Sequence, residues 1–179
     1  MSGSPERRAG DAPPERFPEP PLRFTDDRGR EIEVRAVRED DLEPLLEMYL
    51  SFHPGDRAQG IPPRRPDQAR EWLEGLVADG QNVLARNGDE VVGHGALVPD
   101  PREGAGSELV VFVARDHQQA GIGTRLLHGL LGLGAARGVR QVWLCVERWN
   151  SVAVHLYRKA GFETRAARGF ELEMEMELG

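Results

Sequence analysis

The chain has 179 residues, 39% of them hydrophobic and 30% charged, which is enough for one substantial core. No apolar run approaches the roughly 18 residues a membrane-spanning helix needs, so no membrane association is expected. The formal net charge of −7 argues against general nucleic-acid binding, which needs a basic surface, and a single cysteine argues against an internal disulfide or a Cys/His metal cluster, so no metal is expected.

Residues 1–21 carry six prolines among polar residues and read as a disordered tail. This stretch lacks the apolar segment of a secretory signal, which makes the cytoplasm the expected compartment. Residues 22–179 read as one domain. Segments 22–24 and 32–37 flank the turn signal Asp26-Asp27-Arg28-Gly29 and predict a hairpin. Leu42, Leu45, Leu46, Tyr49 and Leu50 have helical spacing, with Asp40 or Asp41 as N-cap. Residues 51–66, rich in Pro and Gly, form a long loop holding His53, Asp56, Arg57 and Gln59. Residues 67–78 predict a second helix stopped by Gly80.

Asn87-Gly88 between 82–86 and 90–98 is a hairpin signal. The apolar run 109–113 predicts a central strand buried on both faces. Residues 121–137 predict a helix with a broad apolar stripe, in which Gly129, Gly132 and Gly134 each cost about 1 kcal/mol relative to Ala. Residues 141–146 predict another buried strand, with Cys145 as a core thiol. Residues 150–159 predict a short helix ended by Gly161. In 170–178, Phe170, Leu172, Met174, Met176 and Leu178 alternate with glutamates, giving a half-exposed strand whose acidic face deters pairing with other chains.

The stretch Val110-Val-Phe-Val-Ala-Arg-Asp-His-Gln-Gln-Ala-Gly-Ile-Gly-Thr-Arg125 carries the chemistry. A strand, a glycine-containing turn and a helix start in succession expose unpaired N–H groups and the positive end of a helix dipole, a site for phosphate. The pattern is neither a Walker A loop nor a three-glycine dinucleotide fingerprint.

Gln118-Gln119-Ala120-Gly121-Ile122-Gly123 resembles the Q/R-x-x-G-x-G/A signature of the GCN5-related N-acetyltransferase (GNAT) family. Residues 150–162, NSVAVHLYRKAGF, resemble that family's N-x-x-A-x-x-L-Y-x-K-x-G-F signature. The resemblance covers roughly residues 30–178 and implies an α/β (α+β) fold with a mixed, mostly antiparallel sheet of six to seven strands and four flanking helices. It implies an N-acetyltransferase that moves the acetyl group of acetyl-CoA to a primary amine. It further implies that the backbone of Val111, Phe112 and Val113 binds the pantetheine arm and that the amides of Gln118, Gln119, Ala120, Gly121, Ile122, Gly123 and Thr124 hold the pyrophosphate. Asn150 would contact the arm, and Tyr157 would protonate the departing thiolate.

Glu108 opens a segment, ELVVFV, that resembles E-F-A-V-V-V of the prokaryotic protein lysine acetyltransferase branch, whose glutamate is the proposed general base. That tips the expected acceptor toward a protein lysine or N-terminal amine. A small-molecule amine and a non-catalytic acyl-CoA sensor are the alternatives, and monomer and homodimer both remain open. Gln118 and Ala120 stand where basic residues are frequent, with Arg115 and Arg125 as replacement cations. Glu147 and His94 are weaker site candidates, His94 reading first as a packed core residue. His117, His128 and His155 are expected at the surface.

Overall fold

The computed structural model describes residues 16–54, 62–102 and 104–179. Asp56, Arg57 and Gln59 therefore lie outside the described residues. Eight strands and four helices follow in the order β1 (Leu22–Thr25), β2 (Glu31–Ala36), α1 (Leu42–Leu50), α2 (Pro66–Asp79), β3 (Gln81–Asn87), β4 (Glu90–Pro99), β5 (Ser107–Val113), α3 (Ile122–Ala136), β6 (Gln141–Glu147), α4 (Ser151–Ala160), β7 (Glu163–Arg168) and β8 (Glu171–Glu177). The fold is α/β, with one more strand than the sequence predicts. No helix among the described residues is long and apolar enough to cross a membrane.

The strands form one sheet in the order β1-β2-β3-β4-β5-β6-β8-β7. Every neighbouring pair is antiparallel except β5–β6. The parallel pair follows from its connection: α3 crosses one face of the sheet and returns the chain in the same direction. On that face Leu126, Leu127, Leu130 and Leu131 are fully buried against Val34, Val83, Leu97, Val142 and Leu144. On the opposite face α1 and α2 cover only β3, β4 and the end of β5, with Tyr49, Leu45 and Leu73 packed on Leu84 and Phe112. A buried Arg35–Asp41 pair, bidentate at 2.7 and 2.8 Å, ties β2 to the start of α1. Asp41 is thereby committed to Arg35 and to the Arg38 N–H at 2.6 Å rather than to capping α1.

The α3 glycines are explained by close packing. Gly129 lies against Val34 and Leu22, Gly134 against Leu97, and the Pro18 carbonyl occupies the space a Cβ at Gly132 would need. Residues 16–21, expected within the disordered tail, run across α3, with the Phe17 ring 5.5 Å from that of His128.

Three further expectations are corrected. β7 lacks apolar alternation in Glu-Thr-Arg-Ala-Ala-Arg and forms as an exposed edge strand held by the ladder to β8. β8 is an interior strand between β6 and β7, so its glutamates do not guard an edge. Phe170 does not join the inward row: it sits in the β7–β8 turn, 72% exposed, and packs on Trp149 at 5.3 Å.

Candidate active site

β5 and β6 pair only at Ser107↔Val142 and Glu108↔Trp143. Beyond Glu108 no ladder pair joins them, so the middle of the sheet opens into a cleft. Peptide groups in an antiparallel strand point alternately to its two neighbours. The Ala114 N–H donates to the Val92 carbonyl of β4 at 2.8 Å, which directs the Phe112, Val110 and Glu108 peptide groups to β4 as well. The peptide groups of Val111 and Val113, which lie beyond the last ladder pair, therefore face the cleft, a strand edge inside the sheet that β6 does not pair. Phe112 thus differs from its expected role: its backbone is spent on His94, and its ring points to α1. The apolar run 109–113 is also only half-buried, because cleft rather than packing lies beside it.

At the end of β5 the chain makes one 3₁₀ turn at Arg115–His117 and enters the loop that starts α3. Gln118 Nε2 donates to the Val113 carbonyl at 3.0 Å. Gln119 has a φ of 56° and Gly121 one of 87°. A left-handed backbone costs Gly little but a residue such as Gln119 about 1 kcal/mol or more. Ala120 is 1% exposed, which leaves no room for the longer basic side chain frequent at this position. Among the described residues no side chain caps α3, so the N–H groups of Ile122, Gly123 and Thr124 remain free for an anion. A Cβ at Gly123 would meet only ordinary contacts from Val113 and Leu156, so the protein's own packing does not require glycine there. Of the expected replacement cations, Arg125 stands over the Phe24 ring at 5.2 Å.

Glu108 is exposed at the mouth of the cleft, beside Trp143. Its carboxyl is held above the usual range, first by partial desolvation and second by the Asp100 carboxylate. Asp100 is itself held by Arg102 at 2.7 Å, and the guanidinium of Arg102 lies 5.8 Å from the Trp143 ring. Tyr157 is buried at 9% exposure in the α4–sheet core, 5.7 Å ring to ring from Phe162, and desolvation raises its hydroxyl to about 12. It therefore stays protonated and able to donate throughout the neutral range. Asn150 caps α4, accepting from the Ala153 N–H at 3.3 Å, which commits its carbonyl and leaves its amide donors.

Cys145 is exposed and not a core thiol. Val142, Leu144 and Val146 point to α3 and α4, so Trp143, Cys145 and Glu147 point to the other face, which α1 and α2 do not cover. Desolvation, then Glu171, Glu173 and Glu108, push its thiol upward, away from a reactive thiolate. Glu171, Glu173 and Glu175 pair in register with Glu147, Cys145 and Trp143, giving a carboxylate-rich face beside the cleft that sequence reading took for a solvated edge.

His94 is the packed core residue expected. Asn82 Nδ2 donates to the Leu76 carbonyl, so Asn82 Oδ1 accepts from His94 Nε2 at 2.8 Å, and His94 Nδ1 accepts from the Tyr49 hydroxyl at 2.6 Å. Tyr49 stacks edge-on against Phe112 at 5.5 Å, so this buried chain backs the cleft strand. His155 is exposed as expected, but His117 is buried at 7% exposure, its Nε2 3.4 Å from Asn87 Nδ2, and His128 is half-buried under Phe17. His53 lines a cavity of about 280 Å³ with Phe52, Asp116 and His117, on the α1 side of the loop. No group of three or more potential metal ligands occurs among the described residues.

The Acetyltransferase (GNAT) family model matches residues 42–162. A mycothiol acetyltransferase of Amycolatopsis mediterranei is 30% identical over 152 residues, 82% of this chain and 49% of that protein, so the chain spans about half the length of this relative. The GNAT domain of S. lividans PAT superposes with a TM-score of 0.75 at 17% identity, covering 93% of this chain and 99% of that one. The structure of yncA from Salmonella typhimurium, solved with its cofactor acetyl-CoA, superposes with a TM-score of 0.68 at 21% identity, covering 83% and 94%. At these identities the two superpositions speak for the fold.

Proposed function

The chain belongs to the GNAT acetyltransferase family, and from that premise we propose that it is an N-acetyltransferase taking its acetyl group from acetyl-CoA and passing it to a primary amine. The observation that carries this reading is the cleft where β5 parts from β6 after Glu108, with an uncapped helix N-terminus at its far end. An extended, amide-bearing arm fits the strand edge of Val111 and Val113 as an added strand would. The amides from Gln118 to Thr124 suit a pyrophosphate, and Asn150 would contribute its amide donors to the arm. The related fold solved with acetyl-CoA supports the same donor.

In the reaction the amine nitrogen bonds to the thioester carbonyl carbon and the carbon–sulfur bond breaks. Glu108, directly or through a water, takes the proton the amine must lose for the neutral nitrogen to attack; the upward shift of its carboxyl, from desolvation and then Asp100, makes it a stronger base than an ordinary glutamate. Tyr157, protonated and desolvated, supplies the proton the departing thiolate takes up.

The acceptor we favour is a lysine or N-terminal amine of a protein. The face leading to Glu108 is not covered by α1 or α2 and is bordered by Glu147, Glu171, Glu173 and Glu175, against which Arg165 pairs with Glu173 and Glu175 at 3.4 and 3.3 Å; this acidic border suits a cation presented on a large partner. Thiol release from acetyl-CoA, measured with small amines and with lysine-bearing proteins, tests this. Turnover with proteins supports it, turnover with small amines alone moves the acceptor to that class, and tight acetyl-CoA binding without any turnover makes the chain a sensor.

A further inference from the structure

We propose that the β1–β2 turn is a strut that sets the shape of the phosphate-binding loop, with Arg30 as its positioning residue; the inference rests on the donor reading above. The turn lies almost ninety residues before the loop, and it meets the loop at both ends. The Asp26 side chain is fully buried. Its Oδ1 accepts from the Arg28 and Arg30 backbone N–H groups at 3.0 and 2.9 Å, and its Oδ2 accepts from Arg30 Nε at 2.7 Å. So oriented, Arg30 Nη1 donates to the Asp116 carbonyl at 3.0 Å, and Arg28 Nη1 reaches the same carbonyl at 3.4 Å. On the other side of the turn, the Asp27 N–H donates to the Ala120 carbonyl at 3.0 Å.

These two anchors bracket the segment in which Gln119 adopts a positive φ. A non-glycine residue keeps such a conformation only where its surroundings over-determine it. The second anchor also has a direct consequence for the ligand. In a planar trans peptide the carbonyl and the following N–H point in opposite directions. With the Ala120 carbonyl turned to Asp27, the Gly121 N–H is turned away from the β1–β2 turn, to the side left for a ligand. Asp26 neutralises Arg30, so the contribution of Arg30 is orientation of the loop rather than added charge for the phosphates.

Two probes separate orientation from general damage: coenzyme A, which carries the pyrophosphate, and pantetheine, which lacks it. Their dissociation constants are measured by calorimetry on wild type, Arg30→Met, which keeps the buried stem and loses the donors, and Arg30→Lys, which keeps a donor and the charge. Loss of the anchor weakens coenzyme A about tenfold in Arg30→Met, leaves pantetheine within about twofold, and is partly restored in Arg30→Lys. If Arg30→Met does not fold, Arg30→Gln is read in the same way. Coenzyme A affinity within about twofold of wild type overturns the strut, and so does an equal loss for both ligands. Failure of wild type itself to bind coenzyme A overturns the donor reading, and the strut with it.

Discussion

The imidazole of His94 is wholly buried between Tyr49 and Asn82, and desolvation lowers its pKa from 6.5 to about 3. As pH falls, the unfolded chain takes up a proton at His94 near 6.5, and the folded chain does not until near 3. The contribution of this group is therefore full above 6.5 and is lost progressively toward 3. Between pH 7 and pH 5 the difference amounts to about 2 kcal/mol, because each pKa unit is worth about 1.36 kcal/mol and the lower end of the window is far from titrating. For a domain of this size that is a fall in Tm of roughly 4–8 °C. The perturbation is His94→Gln, whose amide bonds both neighbours without titrating. His117 and His128 are also held low, chiefly by desolvation, but are common to both proteins and cancel. Thermal unfolding of the two proteins at pH 7 and pH 5 is expected to show the variant less stable at pH 7 and losing about 2 kcal/mol less on acidification. An identical loss in both proteins would refute the reasoning, since His94 would then titrate alike folded and unfolded.

Three other outcomes are expected. Glu108→Gln lowers turnover roughly 10²–10⁴-fold and removes the fall in rate that wild type shows as pH drops through the raised Glu108 pKa. Because ionising a partly desolvated carboxylate opposes folding, the same variant melts no lower than wild type at pH 7; a clear loss of Tm would mean that Glu108 serves structure. Asp41→Asn strands the buried Arg35 guanidinium and costs roughly 3–5 kcal/mol in urea unfolding; a change near zero would show the pair to be solvated. Gly132→Ala gains about 1 kcal/mol of helix propensity but forces its methyl into the Pro18 carbonyl. Limited proteolysis should then cut faster at Arg16, and a more stable variant with that site still protected would contradict the packing.

The local pattern of the chain was legible in the sequence because it depends on spacing. The 3.6-residue stripes predicted α1 to α4, the Asn87-Gly88 turn placed β3 and β4, and the loop glycines marked the start of α3. The family resemblance followed from the same segments and is confirmed over residues 42–162. β7 escaped because an exposed edge strand is held by its neighbour's backbone and needs no apolar alternation of its own. Phe170 and Cys145 were misplaced for one reason: alternation says which residues share a face, and not whether anything covers that face.

Alternation also could not reveal that β5 and β6 part after Glu108, which turns a run that reads as core into the wall of a cleft. The same limit hid the strut, in which residues 26–30 hold residues 116–120. Sequence by itself determined most of the elements, which residues share a face and the glycine turn that starts α3, all set by interactions within a few residues. The tertiary structure alone decided which strands separate, which faces stay open and which distant side chains shape the loop, because these depend on contacts between segments whose separation along the chain leaves no periodic trace.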